Sequence, residues 1–210
     1  VTDIRIGDTV CLNKYVAIIS SLNHPREELT QRACSMALNA KKKGWNQLFE
    51  DHVNVWKEKW LQSDIIIDSD IAAQQAIRYN IFQLNQTYNG NDARLNISPK
   101  GFTGEKYSGA TRWDTEAVCI PFYLCTSPQS VSKNLLLYRF RHLGKAIQNA
   151  EKLGFTNGAA LFPIATFNGN ESYNEWESTF EEVHRNGIIA YAIYNYIRYT
   201  EDENYLAEYG

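Results

Sequence analysis

Apolar and polar residues alternate at the start of the chain: Ile4 and Ile6, then Val10 and Leu12, then Val16 and Ile18. Successive side chains of a strand point to opposite faces, so a period of two predicts half-buried β-strands. Gly7-Asp8, between two of the runs, suits a tight hairpin turn. From Pro25 the period changes. Leu29, Ala33, Met36 and Ala40 recur at spacings of four and three, which predicts an amphipathic helix. Lys41-Lys42-Lys43 and Gly44 close it, because cations suit the negative end of a helix and glycine suits its C-cap. Trp45, Phe49, Val53, Trp56 and Trp60 mark a second helix.

From Asp70 onward the pattern is helical, interrupted by long loops. Ala73, Ile77, Ile81, Leu84 and Tyr88 form one stripe. Asp114 opens a short apolar helix running to about Thr126, which Pro121 should bend because it has no N–H. Pro128 starts a long helix with Leu136, Phe140, Leu143, Ile147 and Ala150 on one face, closed by Gly154. A last full helix, about 177–200, carries Val183, Gly187, Ala190, Tyr194 and Ile197. Its second half is apolar on nearly every side, which predicts burial all round. Residues from Tyr205 open another helix. One-sided and fully buried helices in alternation, joined by long loops, predict the concentric helices of an α/α barrel. The fold class expected is mainly α, with the tail of a β-domain in front and two bridging helices between.

Composition narrows the picture. The 210 residues are 44% hydrophobic, enough for a sizeable core. A net charge of −3 supplies no basic field for nucleic acid. No stretch reaches the roughly 18 apolar residues of a membrane span. Cys11, Cys34, Cys119 and Cys125 show no metal-ligand spacing, so reduced, buried thiols of a cytosolic protein are expected, and no metal. The chain begins at Val1 and stops where a helix begins, so we expect an excised fragment of a longer protein.

Two loops concentrate the candidate chemistry. The first runs from Lys100 to Glu116 with three glycines and three aromatics and ends in Trp113-Asp114 at a helix start. Loops this long inside a domain are usually functional or disordered. A pyranose has an apolar C–H face and a rim of hydroxyls; an aromatic ring binds the one and a carboxylate the other. Trp113-Asp114 supplies both. The structural alternative is that Asp114 caps the helix and Trp113 packs as a staple before it. The second loop, about 155–175, repeats the chemistry with Phe167, Asn168, Glu171, Tyr173, Asn174 and Glu175. Both loops precede helix N-termini, so in a barrel they could share one rim. Glu105, Glu116, Glu171, Glu175 and Glu177 are the carboxylates a glycosidase could use, and nothing local says which would face each other. His142 and His184 lie on helices without a second ligand at metal spacing, which favours core or surface roles.

Asn96-Ile-Ser-Pro-Lys-Gly-Phe-Thr-Gly-Glu-Lys-Tyr, Arg112-Trp-Asp-Thr-Glu, Lys133-Asn-Leu-Leu-Leu-Tyr-Arg, Phe167-Asn-Gly, Asn174-Glu-Trp-Glu, Arg185-Asn-Gly and Tyr191-Ala-Ile-Tyr-Asn-Tyr resemble maltose phosphorylases of glycoside hydrolase family 65. The resemblance covers nearly the whole chain. It implies the end of an N-terminal β-sandwich over 1–24, a helical linker over 25–63, and the first part of an (α/α)6 catalytic barrel over 64–210. It also implies inverting phosphorolysis: maltose and phosphate give β-glucose 1-phosphate and glucose. Phosphate attacks directly, so one general acid suffices. No matching motif for that acid occurs here, and the resemblance puts it, a Glu, beyond Gly210, with no catalytic residue in this chain. Trp113 and Asp114 match the residues that bind the donor glucose. Tyr173, Asn174 and Glu175 match the acceptor-side loop, where maltose phosphorylases usually have His before Asn-Glu. Tyr173 therefore leaves nigerose, kojibiose and trehalose open beside maltose. The expected partners are a disaccharide and phosphate, with phosphate as co-substrate and no cofactor, in a cytoplasmic enzyme that forms a homodimer. A hydrolase of the same fold and a non-catalytic sugar-binding domain are the competing readings.

Overall fold

The computed structural model describes residues 3–98, 109–172 and 182–210. The chain divides into two compact units, Val1–Glu58 and Lys59–Gly210, with the boundary inside the second helix.

Helix α1 spans Leu29–Lys43, and α2, which begins in the first unit, spans Trp45–Ser63. Arg26–Glu28 form a 3-10 turn leading into α1. The predicted stop is realised: Gly44 takes φ 81° and its N–H bonds back to the Ala40 carbonyl. That positive φ is what glycine supplies without a Cβ penalty. Trp45 and Phe49, one turn apart, stack at 6.1 Å. The alternating segment before α1 forms no strand ladder among the described residues. The turn at Gly7 is present, with the Asp8 N–H on the Arg5 carbonyl at 3.0 Å and Gly7 at φ 98°. A strand exists only when a neighbour takes its N–H and C=O groups, and none is described here; Leu12 and Ile18 stand 91% and 89% exposed.

The second unit holds α3 (Ile71–Thr87), β1 (Thr111–Arg112), a π-helical turn (Thr115–Cys119), α4 (Ile120–Thr126), α5 (Gln129–Arg141), α6 (Leu143–Glu151), β2 (Ala165–Thr166), α7 (His184–Thr200) and α8 (Glu203–Tyr209). Asp70 caps α3 by accepting from the Ala73 N–H at 2.9 Å. Pro121 falls in the first turn of α4. Upstream of it the backbone widens, and the Ile120 N–H reaches back five residues to Thr115. The helix thus changes type where the proline interrupts its ladder. The core gathers Tyr88, Ile97, Ile120, Tyr123, Leu135, Leu136, Ala192, Tyr196 and Tyr205. Burying a leucine such as Leu135 contributes ~1.5–3 kcal/mol. The tyrosines bring hydroxyls inward, and two of them find partners: Tyr123 donates to the Leu84 carbonyl at 2.8 Å and Tyr196 to Asp202 at 2.7 Å, while the buried Tyr88 hydroxyl has none among the described residues. Lys133 also reaches Asp202 at 2.9 Å, and with Tyr196 it holds the Asp202 carboxyl down at about 2.

Three expectations need correction. The helix predicted from Pro128 to Gly154 is two, because His142 sits at φ −101°, ψ 8° and the chain restarts at Leu143. Its buried face is Val131, Ser132, Leu135, Leu136, Tyr138 and Arg139, while Phe140 is 38% exposed. The second half of α7 is not buried all round: Arg185, Ile189, Ala192 and Tyr196 are buried, while Tyr191 and Tyr194 are each 56% exposed. It packs through one stripe against the π-turn, α4 and α5. The residues 177–181 proposed to start it lie outside the described residues. The cysteines are free but not buried as expected: Cys11, Cys34 and Cys125 are exposed, and only Cys119 is partly covered. Burial, with Glu116 and Asp114 nearby, pushes the Cys119 thiol up to about 12.

Gly90 generates a prediction. It has φ 76°, and a Cβ there would stand 2.7 Å from the Cα of Val131. Both the dihedral and the contact oppose a side chain, so Gly90→Ala should destabilise by ~2 kcal/mol or more. Thermal or urea unfolding of the variant checks it.

Candidate functional site

The two loops singled out in the sequence meet. Thr111 pairs with Thr166 and Arg112 with Ala165 in an antiparallel ladder. Trp113 and Asp114 follow directly. Asp114 does not cap: its backbone is helical and its side chain makes no capping bond. Instead the carboxylate is 37% exposed, with its Oδ2 3.7 Å from Arg112 Nε. The Trp113 ring meets His184 edge-on at 5.6 Å and 84°. A half-covered indole beside an accessible carboxylate is the pairing that a pyranose face and rim require.

Behind this pair lies a charge that water does not reach. Glu116 Oε1 and Oε2 accept from Arg139 Nε and Nη2 at 2.7 and 2.9 Å. The side chains are 0% and 3% exposed. Arg139 Nη2 also donates to the Arg112 carbonyl at 3.1 Å. Burial works against the arginine's charge, but Glu116 more than offsets it and its pKa rises. Glu116 is therefore removed from the carboxylates available for acid–base work, because both its oxygens are engaged in an ion pair.

Glu171 is removed for the same reason. It accepts from the N–H groups of Ile164 at 2.7 Å, Ala165 at 3.2 Å and Ser172 at 3.1 Å, and faces Arg185 Nη1 at 3.3 Å. This carboxylate folds the second loop around itself. Thr166 adds a turn by accepting from the N–H groups of Asn168 and Gly169. Gly169, at φ 91°, lies so close to His142 that a Cβ would stand 2.7 Å from its ring. That contact falls where α5 breaks.

Three consecutive residues at the start of α7 each hold a loop. His184 meets Trp113, Arg185 meets Glu171, and Asn186 bonds the Ala160 carbonyl at 2.7 Å and the Phe162 N–H at 3.1 Å. At the end of α5, Tyr138 donates to the Phe167 carbonyl at 3.3 Å while Arg139 holds Arg112. Sequence reasoning gave these helix-end residues no part in holding the loops. A signal was present: Arg139 and Arg185 sit in register with the buried stripes 132/135/136 and 189/192/196. A cation on an apolar stripe implies a buried partner.

Tyr173, Asn174, Glu175 and Glu177, like Glu105, lie outside the described residues. Among the described residues no group of three His, Cys, Asp or Glu could hold a metal, and no helix is long and apolar enough to cross a membrane. A concavity of about 650 Å³, lined by Gln129, Lys133, Glu201 and Asp202 among others, lies at the opposite end of α5 from Arg139. Its one cation, Lys133, is paired with Asp202, and no aromatic ring of the described residues lines it, so we place the candidate site at the loops.

Comparison with known proteins gives the family. The model of the glycosyl hydrolase family 65 central catalytic domain matches residues 78–210, and that of the family's N-terminal domain matches residues 1–59. The chain belongs to glycosyl hydrolase family 65, and its mainly α second unit is part of that family's (α/α)6 barrel. It is 54% identical to maltose phosphorylase of Bacillus subtilis, over 95% of this chain and 26% of that one. It is 33% identical to α,α-trehalose phosphorylase of Thermoanaerobacter brockii, over 97% of this chain and 26% of that one. A solved chain from the human microbiome, described provisionally as a kojibiose phosphorylase, matches with a TM-score of 0.82 and 34% identity, covering 90% of this chain and 25% of that one. The chain thus spans about a quarter of the length of the relatives it matches.

The clamp role of Glu171 is testable. Glu171→Gln removes the carboxylate in contact with Arg185, which is 2% exposed, and leaves only the more distant charge of Glu182. Breaking a buried pair on one side costs ~3–5 kcal/mol. The variant should unfold at a clearly lower temperature than Asp114→Ala, compared by calorimetry.

Proposed function

We propose that this chain is part of an inverting disaccharide phosphorylase that converts maltose and phosphate to β-glucose 1-phosphate and glucose. The observation that carries the reading is the Trp113–Asp114 pair: the aspartate is free of capping duty and stays partly open beside the indole. Trp113 stacks on the apolar face of the donor glucose, and Asp114 accepts from its hydroxyls. The maltose phosphorylase relative, at 54% identity, supports the choice of maltose. Tyr173, where maltose phosphorylases usually have His, and the trehalose phosphorylase relative support a second reading within the same chemistry: another α-glucobiose such as trehalose, kojibiose or nigerose.

Phosphate is the co-substrate and nucleophile, and no cofactor enters the reading. With phosphate attacking directly, no carboxylate base is needed, which agrees with Glu116 and Glu171 being engaged elsewhere. The general acid belongs, on this reading, beyond Gly210, and Tyr173, Asn174 and Glu175 line the acceptor side. Residues 1–24 are the end of a β-sandwich, 25–63 a linker and 64–210 the first part of the barrel. The whole enzyme is a cytoplasmic homodimer acting on a disaccharide.

The test uses the full-length enzyme with maltose, with and without inorganic phosphate, following glucose 1-phosphate. Product that depends on phosphate is expected. Product only from another glucobiose would keep the mechanism and move the substrate; glucose released without phosphate would favour a hydrolase and overturn the reading. Asp114→Ala should lower kcat/KM at least ~100-fold, since a positioned hydrogen bond to a charged group contributes a few kcal/mol. Near wild-type kcat/KM would remove Asp114 from the site.

A further inference from the structure

We infer that the buried Glu116–Arg139 pair is the positioning device of the sugar site, holding Trp113 and Asp114 in place from both sides. The inference rests on the reading of those two residues as the sugar contact. One guanidinium takes the Arg112 carbonyl, immediately before the pair, and the Glu116 carboxylate, two residues after it. The segment 112–116 is thus pinned at both ends to one rigid group at the C-terminal end of α5. The local backbone does not do this alone. β1 is two residues long, and the π-turn that follows is an irregular stretch of helix. A two-residue ladder is too short to define a side chain's position.

The chemistry of arginine suits the task. Its planar fork offers several donors at fixed angles, so holding Glu116 and the Arg112 carbonyl together sets distance and orientation. Lysine would bring the charge without the fork. Placing two charges at 0% and 3% exposure is a poor route to stability, because desolvation opposes the attraction. An apolar pair of similar volume would fold as well but would leave the Arg112 carbonyl and the Glu116 end unheld. Arg139 and Glu116 are positioning residues, which act through Trp113 and Asp114 and touch no substrate themselves.

The experiment compares four forms of the full-length enzyme: wild type, Asp114→Ala, Arg139→Lys, and the double variant Glu116→Leu/Arg139→Met. Each is measured for thermal midpoint, KM for the disaccharide and KM for phosphate. We expect the double variant to melt near the wild type and to show a disaccharide KM raised at least ~10-fold, a displacement effect, with the phosphate KM unchanged. Arg139→Lys, which keeps a cation for Glu116, should show the same split and serves if the double variant does not fold. A folded double variant or Arg139→Lys with a wild-type disaccharide KM, alongside an impaired Asp114→Ala, overturns the positioning role and leaves the sugar-contact reading standing. An unimpaired Asp114→Ala overturns the sugar-contact reading, and the positioning role falls with it. Equal rises in both KM values would mark a general loss of structure and also overturn the inference.

Discussion

A charge taken out of water must find its opposite, and that constraint organises the second unit. Arg139 and Arg185 are each 2% exposed. Each stands on the inward stripe of a long helix, where an aliphatic residue would be the simpler choice. Each pairs with a carboxylate from outside its own helix, Glu116 of the π-turn in one case and Glu171 of the second loop in the other. The loops are drawn in because leaving either cation unpaired would cost several kcal/mol. The two pairs differ in degree. Burial lowers the pKa of Arg185 against the weaker help of Glu171, whereas Glu116 holds Arg139 firmly charged.

From that constraint follows a division between the two ends of the helices. The end of α5 and the start of α7 carry loop-holding residues: Tyr138 and Arg139 on one, His184, Arg185 and Asn186 on the other. The start of α5 and the end of α7 carry a closed network of Gln129, Lys133, Tyr196 and Asp202, which ties α8 to the bundle. Between them the core is built on tyrosines as much as on aliphatics, each bringing a hydroxyl that must be satisfied or tolerated. Chemistry collects at the end where the loops are, because a helix can present rigid side chains there while a loop supplies adaptable ones.

Family membership gives this arrangement its meaning. The relatives named as maltose and trehalose phosphorylases share this part of the chain with it. Under the proposed reading, Trp113 and Asp114, which are partly open, would meet the glucose common to those two substrates. Two of the five carboxylates left open by the sequence, Glu116 and Glu171, are engaged in buried ion pairs.

The chain's sequence alone determined the elements whose causes are local. The stripe of α3 with its Asp70 cap, the Gly44 stop of α1 and the interruption at Pro121 are each decided within a few residues by periodicity, dihedral preference or a missing N–H. The adjacency of an indole and a carboxylate at Trp113-Asp114 is likewise local, and the structure adds that Asp114 does not cap the helix. Only the tertiary structure decided the rest. The pairing of Thr111 with Thr166, the break of α5 and α6 at His142 beside Gly169, the exposed Tyr191 and Tyr194, and the fate of Glu116 and Glu171 all depend on groups distant in sequence. Periodicity reports which face of a helix is apolar. It is silent on which carboxylate a buried arginine will find, because that choice is made by packing between elements, where hydrogen-bond geometry and desolvation act only once the chain has folded.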